Sequence, residues 1–380
     1  MNKNNGAGGF FGGASARQIL VAVVFVAILG GFFVLNRLIT PPDVSQSERR
    51  ELAKLPELTI STLASGEFMD GFESFASDSF VFRDGLRTVR AASVFGLFLQ
   101  TDKSGLYLGD SGAGKFERID AESYRKAADK INKLADSLPG LNLYCAVVPD
   151  KSIYSGKYLP GFEPSEAREI LSERLDGVKY VDITDALDGG DFYRTDLHWD
   201  QTRLDGVCAA LYAAMNISPE SAMPDGGITT AGGFYGVYAG QLALPVAEDT
   251  MSYVTNGYID GASVSYLNAR TGELEPGPMY DAESFSGRDP YDLFLKGVQP
   301  LIVIDSPNSR TDRELYMFRD SFSSSLAPLL TSEYRRVTLI DLRYLDSRML
   351  PSLVEFKPGA DVLFIYSTQI LNNESVLLVG

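Results

Sequence analysis

The sequence is poor in the residues from which many active sites are built. Its 380 residues contain one histidine, one tryptophan and two cysteines. The cysteines, Cys145 and Cys208, stand in no CxxC spacing, and each lies in an apolar run, which favours two buried free thiols over a disulfide. The glycine-rich fingerprints GxGxxG and GxxxxGK[ST] are also missing. We therefore predict no metal site, no nucleotide-binding site and no cofactor.

Positive charge is scarce. The chain has 34 Lys and Arg against 50 Asp and Glu, a formal net charge of −16. Residues 1–40 hold three of the basic side chains and no acidic one, so the remainder is more acidic still. Such a surface repels the phosphate backbone of nucleic acids, which argues against nucleic acid or a polyanion as a partner.

One long apolar run is present, at residues 19–35, and it carries no charge. It is short for a membrane span, yet longer than the usual core of a cleavable signal peptide, and no small-x-small cleavage motif follows. We expect an uncleaved transmembrane signal anchor at residues 19–39, with residues 1–18 as a disordered cytoplasmic tail and the body of the chain outside. A buried core helix is the alternative interpretation of the run.

An alternation of helix and strand patterns begins near residue 119. Asp120 is a plausible helix cap, and a buried strand follows at residues 141–148. Further strands are predicted at residues 178–183, 301–304, 315–318, 337–341 and 362–366. The alternation of helix and strand patterns is interrupted at residues 218–298. We predict that this segment is an irregular β-rich insertion that covers the cleft. We expect a linker and an N-terminal extension at residues 40–118 and one α/β domain at residues 119–380.

The motif Gly-Asp-Ser-Gly at residues 109–112 superficially resembles a serine-hydrolase signature. Its Ser111 lies among several glycines with polar neighbours, which is typical of a hairpin or turn. The motif is not followed by an apolar helix with an exposed first turn. We therefore interpret Ser111 as part of a structural turn.

The only histidine lies in the stretch Asp-Phe-Tyr-Arg-Thr-Asp-Leu-His-Trp-Asp, residues 191–200. If the chain catalyses proton transfer near neutral pH, His198 is the only imidazole available for it. Asp196 lies two residues earlier, a spacing that lets its carboxylate meet the imidazole on a loop after a strand. A lone Asp-x-His pair is more often structural, so the interpretation depends on a third residue.

Ser321 is the candidate third residue. It follows an apolar strand and precedes a helical pattern in Arg-Asp-Ser-Phe, residues 319–322. This arrangement places the hydroxyl at the carboxyl edge of the sheet, where helix N–H groups point at whatever it attacks. Ser321, His198 and Asp196 would act as nucleophile, general base and orienting carboxylate, with the Ser321 N–H as one oxyanion donor. Activity is expected to fall at acid pH as His198 becomes protonated.

Six further residues are substrate-binding candidates at the same edge: Lys151, Tyr193, Arg194, Trp199, Arg343 and Asn373. Lys151 and Arg343 could contact substrate or form internal ion pairs, and the same alternatives hold for Tyr193 and Arg194. The tryptophan could pack beneath the histidine or serve as a stacking platform for a sugar. The asparagine is a candidate second oxyanion donor.

Together these motifs resemble the DHHW family of bacterial proteins. Asp-Leu-His-Trp at residues 196–199 is followed about 120 residues later by Arg-Asp-Ser-Phe and then by Leu-Ala-Pro-Leu-Leu at residues 326–330. Segments at residues 48–52, 80–84, 148–151 and 339–344 also match, so the resemblance covers nearly all of the chain beyond the apolar run. Leu197 stands where the family name has histidine, and Arg319 where SGNH enzymes often have glycine.

The DHHW family is related to the SGNH-type domains of alginate O-acetyltransferases. The resemblance implies a flavodoxin-like α/β/α sandwich of the SGNH hydrolase type, with a Ser-His-Asp triad at the positions named above. It implies a membrane-anchored serine O-acetyltransferase that acts outside the cytoplasm on a cell-envelope or secreted polysaccharide, with a membrane-bound O-acyltransferase as acetyl donor. A carbohydrate esterase of the same fold and an inactive polysaccharide-binding or assembly protein are the alternatives.

Overall fold

The structure is a computed structural model that describes residues 16–45, 47–155, 163–219 and 221–380. The chain divides into two compact units, Met1–Arg90 and Ala91–Gly380. Most of the predicted cytoplasmic tail, residues 1–15, lies outside the described residues. Cys145 and Cys208 are free and buried, as predicted.

The first unit begins with the apolar helix α1 (Ala16–Leu38), which starts three residues before the predicted anchor. Its 23 residues span about 34 Å at 1.5 Å per residue, enough to cross a bilayer core of about 30 Å. By length and composition the helix fits a single-pass membrane anchor or a signal sequence. The unit's other elements are β1 (Val44–Ser45), β2 (Arg50–Glu51), α2 (Ile60–Ser65), α3 (Glu67–Asp78) and most of α4 (Arg83–Ala92).

Two of the family-like segments meet in this first unit. The segment at residues 48–52 contributes Arg50, which pairs with Asp78, and Glu48, which pairs with Arg83 of the segment at residues 80–84. Arg50 donates two hydrogen bonds to the Asp78 carboxylate, at 2.6 and 2.7 Å. Arg83 lies 2.6 Å from Glu48. The hydrogen bond from Arg50 lowers the pKa of Asp78 to about 2, so this carboxylate is ionised at neutral pH.

The second unit opens with an antiparallel three-stranded sheet of β3 (Asp102–Lys103), β4 (Leu106–Gly109) and β5 (Gly112–Lys115). Gly109 pairs with Gly112, so Asp110 and Ser111 form a two-residue hairpin turn, as the glycine pattern predicts. Gly112 adopts φ 97°, and a Cβ there would lie 2.2 Å from the Arg194 carbonyl oxygen. Only glycine fits this close approach.

The remaining strands form two sheets. A separate antiparallel pair consists of β8 (Gly227–Phe234) and β9 (Asp249–Thr255). The main sheet has eight strands: β6 (Asn142–Val148), β7 (Lys179–Val181), β10 (Ser263–Leu267), β11 (Leu274–Gly277), β12 (Leu301–Asp305), β13 (Glu314–Arg319), β14 (Arg336–Ile340) and β15 (Asp361–Ser367).

Helices and short helical turns lie on both faces of the main sheet and beside the smaller sheets. They are α5 (Ala121–Asp136), α6 (Pro164–Arg174), α7 (Asp205–Ala214), α8 (Val237–Leu242), α9 (Gly257–Asp260), α10 (Ala282–Phe285), α11 (Phe322–Leu326), α12 (Leu350–Leu353) and α13 (Thr368–Leu371). Successive residues of β6 enter two different cores, since Ala146 packs with α7 and α11 whereas Cys145 packs with α5 and α6. Cys208 belongs to the α7 core, so the sheet separates the two thiols.

The strand order of the main sheet is β11-β10-β12-β14-β13-β15-β6-β7. Its five successive parallel strands, β14-β13-β15-β6-β7, read 4-3-5-1-2 in chain order. The flavodoxin-like order is 2-1-3-4-5. Counted from β13, which leads to Ser321, the same row does read 2-1-3-4-5. The spatial order is therefore flavodoxin-like, but the chain enters the sheet at a different strand.

The predicted insertion at residues 218–298 is more regular than expected. Its strands β10 and β11 extend the main sheet in antiparallel fashion. The prediction that this segment is irregular was therefore wrong for these two strands. The burial of β10 is mixed and β11 is almost wholly exposed, because both lie toward the edge of the sheet. Such strands lack the continuous apolar run by which buried strands are recognised.

Candidate active site

The Asp-x-His stretch forms a tight loop closed by its own backbone. Phe192 and Trp199 form an isolated antiparallel bridge, and the Tyr193 N–H donates to the His198 carbonyl oxygen at 3.1 Å. The loop turns Asp196 and His198 inward, where they are 1% and 5% exposed. The structure thus holds both side chains in a buried position.

Three side chains predicted to act together are joined by hydrogen bonds. His198 Nδ1 lies 2.7 Å from Asp196 Oδ1, and His198 Nε2 lies 2.8 Å from Ser321 Oγ. Burial disfavours the Asp196 carboxylate, but hydrogen bonds from His198 and from the Val237 N–H hold its pKa below the usual range. An ionised Asp196 favours a proton on Nδ1, which leaves Nε2 free to accept from the serine hydroxyl.

The turn that carries Ser321 is fixed by its neighbour Asp320. Asp320 Oδ1 accepts from the N–H of Phe322, the first residue of α11, at 3.1 Å. Its Oδ2 accepts from the Ser367 N–H at 2.6 Å, at the end of β15. The carboxylate thereby joins the ends of β13 and β15, where the order of parallel strands reverses and ligands bind in open α/β sheets.

Arg319, which stands in place of a frequent SGNH glycine, lies beneath the serine turn. It is 1% exposed, and its Nη1 donates to the Asp320 carbonyl oxygen at 3.3 Å and to Ser324 Oγ at 3.2 Å. Burial lowers its pKa, while Asp341, at 3.8 Å, favours the charged form. The large side chain supports the turn from inside the protein.

Tyr291 is a site residue that the sequence analysis missed. Its ring stacks on the His198 imidazole, with centroids 3.7 Å apart and planes 6° from parallel. Its hydroxyl donates to Ser325 Oγ at 2.7 Å. Tyr291 lies in the segment predicted to be irregular, in a short 3₁₀ turn whose sequence offers no periodic signal.

Trp199 is fully buried behind the proposed base. Its Nε1 donates to the Phe322 carbonyl oxygen at 3.0 Å and to Ser325 Oγ at 2.9 Å. A stacking platform for a sugar needs an exposed ring face. The burial therefore favours the packing interpretation over the platform.

Lys151 contacts the Asp-x-His loop from outside, whereas Tyr193 and Arg194 are part of it. Lys151 is buried, and its Nζ donates to the backbone oxygens of Tyr193 at 2.7 Å and Asp196 at 2.9 Å. Burial lowers its pKa to about 8. Tyr193 packs edge-on against Phe234, and Arg194 is exposed. The lysine contacts thus favour a supporting role in the loop.

Arg343 and Asn373 make contacts with other parts of the chain. Arg343 donates to Asp341 at 2.8 and 2.6 Å, which is the internal ion pair considered as an alternative above. Asn373 is exposed, and its Oδ1 accepts from Ser375 Oγ at 2.9 Å. A second oxyanion donor from the asparagine remains a hypothesis.

Within residues 16–45, 47–155, 163–219 and 221–380, no group of three or more His, Cys, Asp or Glu side chains could hold a metal ion. The three hydrogen-bonded side chains and the stacked tyrosine are organic groups suited to proton transfer and nucleophilic attack.

Comparison with known proteins places this geometry in context. No family model and no curated protein sequence matches the chain. A DHHW family protein from Eubacterium siraeum superposes with a TM-score of 0.58 at 18% identity, covering 72% of this chain and 94% of that one. Bacillus cereus PatB1 with a sulfonyl adduct gives 0.57 at 16% identity, with 72% and 98% covered. The O-acetyltransferase domain of Pseudomonas putida AlgJ gives 0.38 at 16% identity, with 70% and 92% covered.

At sequence identities of 16–18%, the likeness to these proteins is a likeness of fold. The neighbours match the relationship suggested by the motifs Asp-Leu-His-Trp and Arg-Asp-Ser-Phe. The chain thus resembles the DHHW family in its motifs and a DHHW family protein in its fold.

Proposed function

We propose that the protein is a serine-dependent O-acetyltransferase that modifies a polysaccharide outside the cytoplasm and is anchored to the membrane by α1. The observation that carries the proposal is the continuous chain of hydrogen bonds from Asp196 through His198 to Ser321. PatB1, which has a similar fold, has been captured with a sulfonyl adduct, and such adducts form on reactive nucleophiles. The acetyl group and the polysaccharide acceptor come from the family resemblance.

In the first half of the proposed reaction, Ser321 Oγ attacks the acetyl carbonyl carbon of the donor while His198 Nε2 takes its proton. The Asp196 carboxylate stabilises the imidazolium that results. The Ser321 N–H stabilises the oxyanion, a contribution typically worth about 2.7–4 kcal/mol. The bond to the donor then breaks, the leaving group receives the proton from His198, and acetyl-Ser321 remains.

In the second half, a sugar hydroxyl attacks the carbonyl carbon of acetyl-Ser321. His198 removes the proton of that hydroxyl, the new ester bond forms, and the ester bond to Ser321 breaks. The proton on His198 then returns to Ser321 Oγ. A membrane-bound O-acyltransferase would supply the acetyl donor on the outer side.

The esterase alternative differs only in the acceptor, because water would replace the sugar hydroxyl. The binding-protein alternative differs in needing no chemistry at Ser321. It predicts that Ser321→Ala leaves the biological phenotype intact. These differences decide which experiment comes first.

The first experiment uses the full chain in detergent, with a sulfonyl fluoride and p-nitrophenyl acetate as probes and intact-mass spectrometry as readout. Wild type should gain one sulfonyl or acetyl adduct, mapped to Ser321. Ser321→Ala and His198→Ala should gain neither, whereas Ser375→Ala, a change at an exposed serine, should behave as wild type.

Discharge of the acetyl adduct separates the alternatives. Faster discharge in the presence of an oligosaccharide, with acetyl recovered on the sugar, supports the transferase. Discharge to water at an unchanged rate indicates the esterase. If no adduct forms with either reagent, Ser321 is not a reactive nucleophile and the proposal is wrong.

A further inference from the structure

The first unit leaves most of its apolar side chains exposed. Among its described residues, 16–45 and 47–90, the buried hydrophobic side chains are Leu52 and Val81. Ten large hydrophobic side chains between residues 55 and 89 are exposed, and Ile60 is 90% exposed. A large exposed apolar surface marks a site of interaction with another protein or with a membrane.

Part of this surface is a groove of about 810 Å³ between α3 and α4. Met69, Phe72 and Ala76 line the groove from α3, at a spacing that places them on one face of the helix. Leu86 lines it from α4, and Phe80 lines it from the turn between the two helices. These apolar residues therefore form one continuous surface rather than isolated exposed side chains.

The apolar and polar residues of α3 lie on separate faces of the helix. Phe68 and Phe75 fall on the same side as Phe72, and their ring centroids lie 6.0 and 6.5 Å from its own. Asp70 and Ser74 fall on the opposite side. A helix with this pattern normally buries its apolar face in a core, yet Phe72 is exposed. The pattern is that of a helix at a boundary between water and an apolar medium.

The groove is fixed beside the end of the apolar helix α1. The ring of Phe80, which lines the groove, stacks on Phe32 of α1 with centroids 5.2 Å apart. The next residue, Val81, donates its N–H to Asn36 Oδ1 at 2.7 Å. Phe32 precedes Leu38, the last residue of α1, by six residues, which is about 9 Å along the helix axis.

The depth of Phe32 indicates which medium surrounds the groove. A helix of 23 residues is about 34 Å long, so when centred in a core of about 30 Å it extends about 2 Å beyond each side. Phe32, and with it Phe80, then lies about 7 Å inside the core. Interfacial helices bury their apolar faces about 5–10 Å into the boundary between headgroups and acyl chains. Lipid is therefore the medium at the depth of Phe80 when α1 spans a bilayer.

The charges along the groove also favour lipid over a second protein. Asp70 and Glu73 line it from α3, and Arg83, Arg87 and Arg90 line it from α4. Phospholipid headgroups present phosphate and ammonium groups together, and long arginine side chains can reach them while their stems contact acyl chains. A protein helix would have to match this mixture of charges in fixed positions, whereas mobile lipids adapt to it.

We propose that the exposed apolar surface of α3 and α4 lies in the interface of the lipid bilayer, in the leaflet where α1 ends, with acyl chains in the groove. The proposal rests on the membrane anchoring by α1 that is part of the proposed function, but on no chemistry at Ser321. It makes the first unit a membrane-inserted platform instead of a free linker between the anchor and the second unit.

The experiment attaches an environment-sensitive fluorophore to single added cysteines of the full chain in vesicles of phosphatidylcholine and phosphatidylglycerol. Phe72→Cys and Leu86→Cys report on the groove, and Ser74→Cys is the matched control on the opposite face of α3. Ala27→Cys, near the middle of α1, reports on the anchor itself. Nitroxide-labelled lipids, with the quencher either near the headgroup or near the chain end, measure the depth of each label.

We expect the labels at residues 72 and 86 to emit at shorter wavelength than the label at residue 74. The nitroxide near the headgroup should quench them most strongly, whereas the label at residue 27 should be quenched most by the nitroxide near the chain end. Cys145 and Cys208 are buried, and the chain without an added cysteine measures any labelling of these two thiols. Unchanged emission of Trp199, measured before labelling, confirms that each variant is folded.

The label at residue 27 separates failure of this proposal from failure of the anchor. Quenching at residue 27 without quenching at residues 72 and 86 would overturn the proposal and leave the anchor in place. A shift to shorter wavelength at residues 72 and 86 without quenching by lipid would show that protein covers the groove, which also overturns it. Absence of quenching at all four positions would remove the anchor and the proposal together, while the Ser321 adduct would still test the chemistry.

Discussion

The imidazole of His198 and the phenol of Tyr291 lie face to face, 3.7 Å apart between centroids and 6° from parallel. Such a stack fixes the plane of the imidazole, on which its hydrogen bonds to Asp196 and Ser321 depend. The tyrosine hydroxyl donates to Ser325 Oγ, which also accepts from the Trp199 indole. The proposed base is therefore held by two aromatic residues that share one serine.

We expect Tyr291→Leu to reduce kcat for p-nitrophenyl acetate roughly 10- to 100-fold, because the imidazole loses its stacking partner and its orientation. Tyr291→Phe keeps the ring and loses one hydrogen bond, so its kcat should stay within about threefold of wild type. The rate of sulfonylation should follow the same order. Equal losses in the two variants would show that the hydroxyl, rather than the stack, positions the base.

Asp196→Asn should lower kcat by roughly 10³–10⁴, because an amide in place of the carboxylate no longer stabilises an imidazolium or favours the productive tautomer. The amide oxygen can still accept from the Val237 N–H, so folding should be retained. The control is the thermal midpoint, followed by the emission of Trp199, the only tryptophan, which lies in the core. A variant that folds normally and retains more than a tenth of wild-type kcat would contradict the assigned role.

Asp150→Asn should make the protein more stable at neutral pH. Burial raises the pKa of Asp150 to about 6 from a usual value of 3.8. The folded chain therefore binds more protons than the unfolded chain between about pH 4 and 6, and this residue's contribution to stability is lost as pH rises through 6. The variant removes that charge and keeps an oxygen for the Ser152 N–H.

The expected gain in unfolding free energy from Asp150→Asn is about 1–3 kcal/mol at pH 7.5, with little difference near pH 4. Denaturant titrations of wild type and variant, followed by Trp199 emission at both pH values, measure it. A gain of the same size at pH 4 and pH 7.5 would show that the effect is not one of ionisation.

Gly236→Ala should destabilise the loop that carries Asp196. A Cβ at Gly236 would lie 2.3 Å from the Thr195 carbonyl oxygen and 2.4 Å from the Asp196 Cβ, although φ is an ordinary −70°. Overpacking of this kind typically costs about 1–3 kcal/mol, and displacement of the carboxylate should lower kcat at least about tenfold. Gly257→Ala is the matched control, since a Cβ there meets nothing within 4 Å. A Gly236→Ala variant as stable and active as the control would show that the backbone yields without cost.

The parts of the site that can be predicted from the sequence are those that depend on residues close together along the chain. A strand that breaks into Asp320-Ser321 and a helix can be recognised along the chain, and a sole histidine needs no choice among candidates. Tyr291 contacts His198 across 93 residues of sequence, from a turn with no periodic pattern, so no local signal reports the contact.

Strand ends and strand order also combine features that the local sequence predicts with features that it does not. The sequence predicts that Lys151, Arg343 and Asn373 follow strands, but the carboxyl end of a strand does not decide which side chains turn toward the serine. Arg343 turns instead toward Asp341, and Lys151 toward the backbone of the Asp-x-His loop. The displaced start of the flavodoxin-like order is also invisible in sequence, because pairing between distant strands leaves no trace in local periodicity.

The position of β15 (Asp361–Ser367) has a consequence for how the protein folds. Within the described strands of the main sheet, β15 pairs with β13 on one side and β6 on the other, so it joins the histidine half to the serine half. Its pairing with β6 brings Asp361 opposite Asn142, 219 residues earlier in sequence, and contacts of such high sequence separation form slowly. A chain without β15 would keep every proposed reacting group and lose the strand that brings the two halves together.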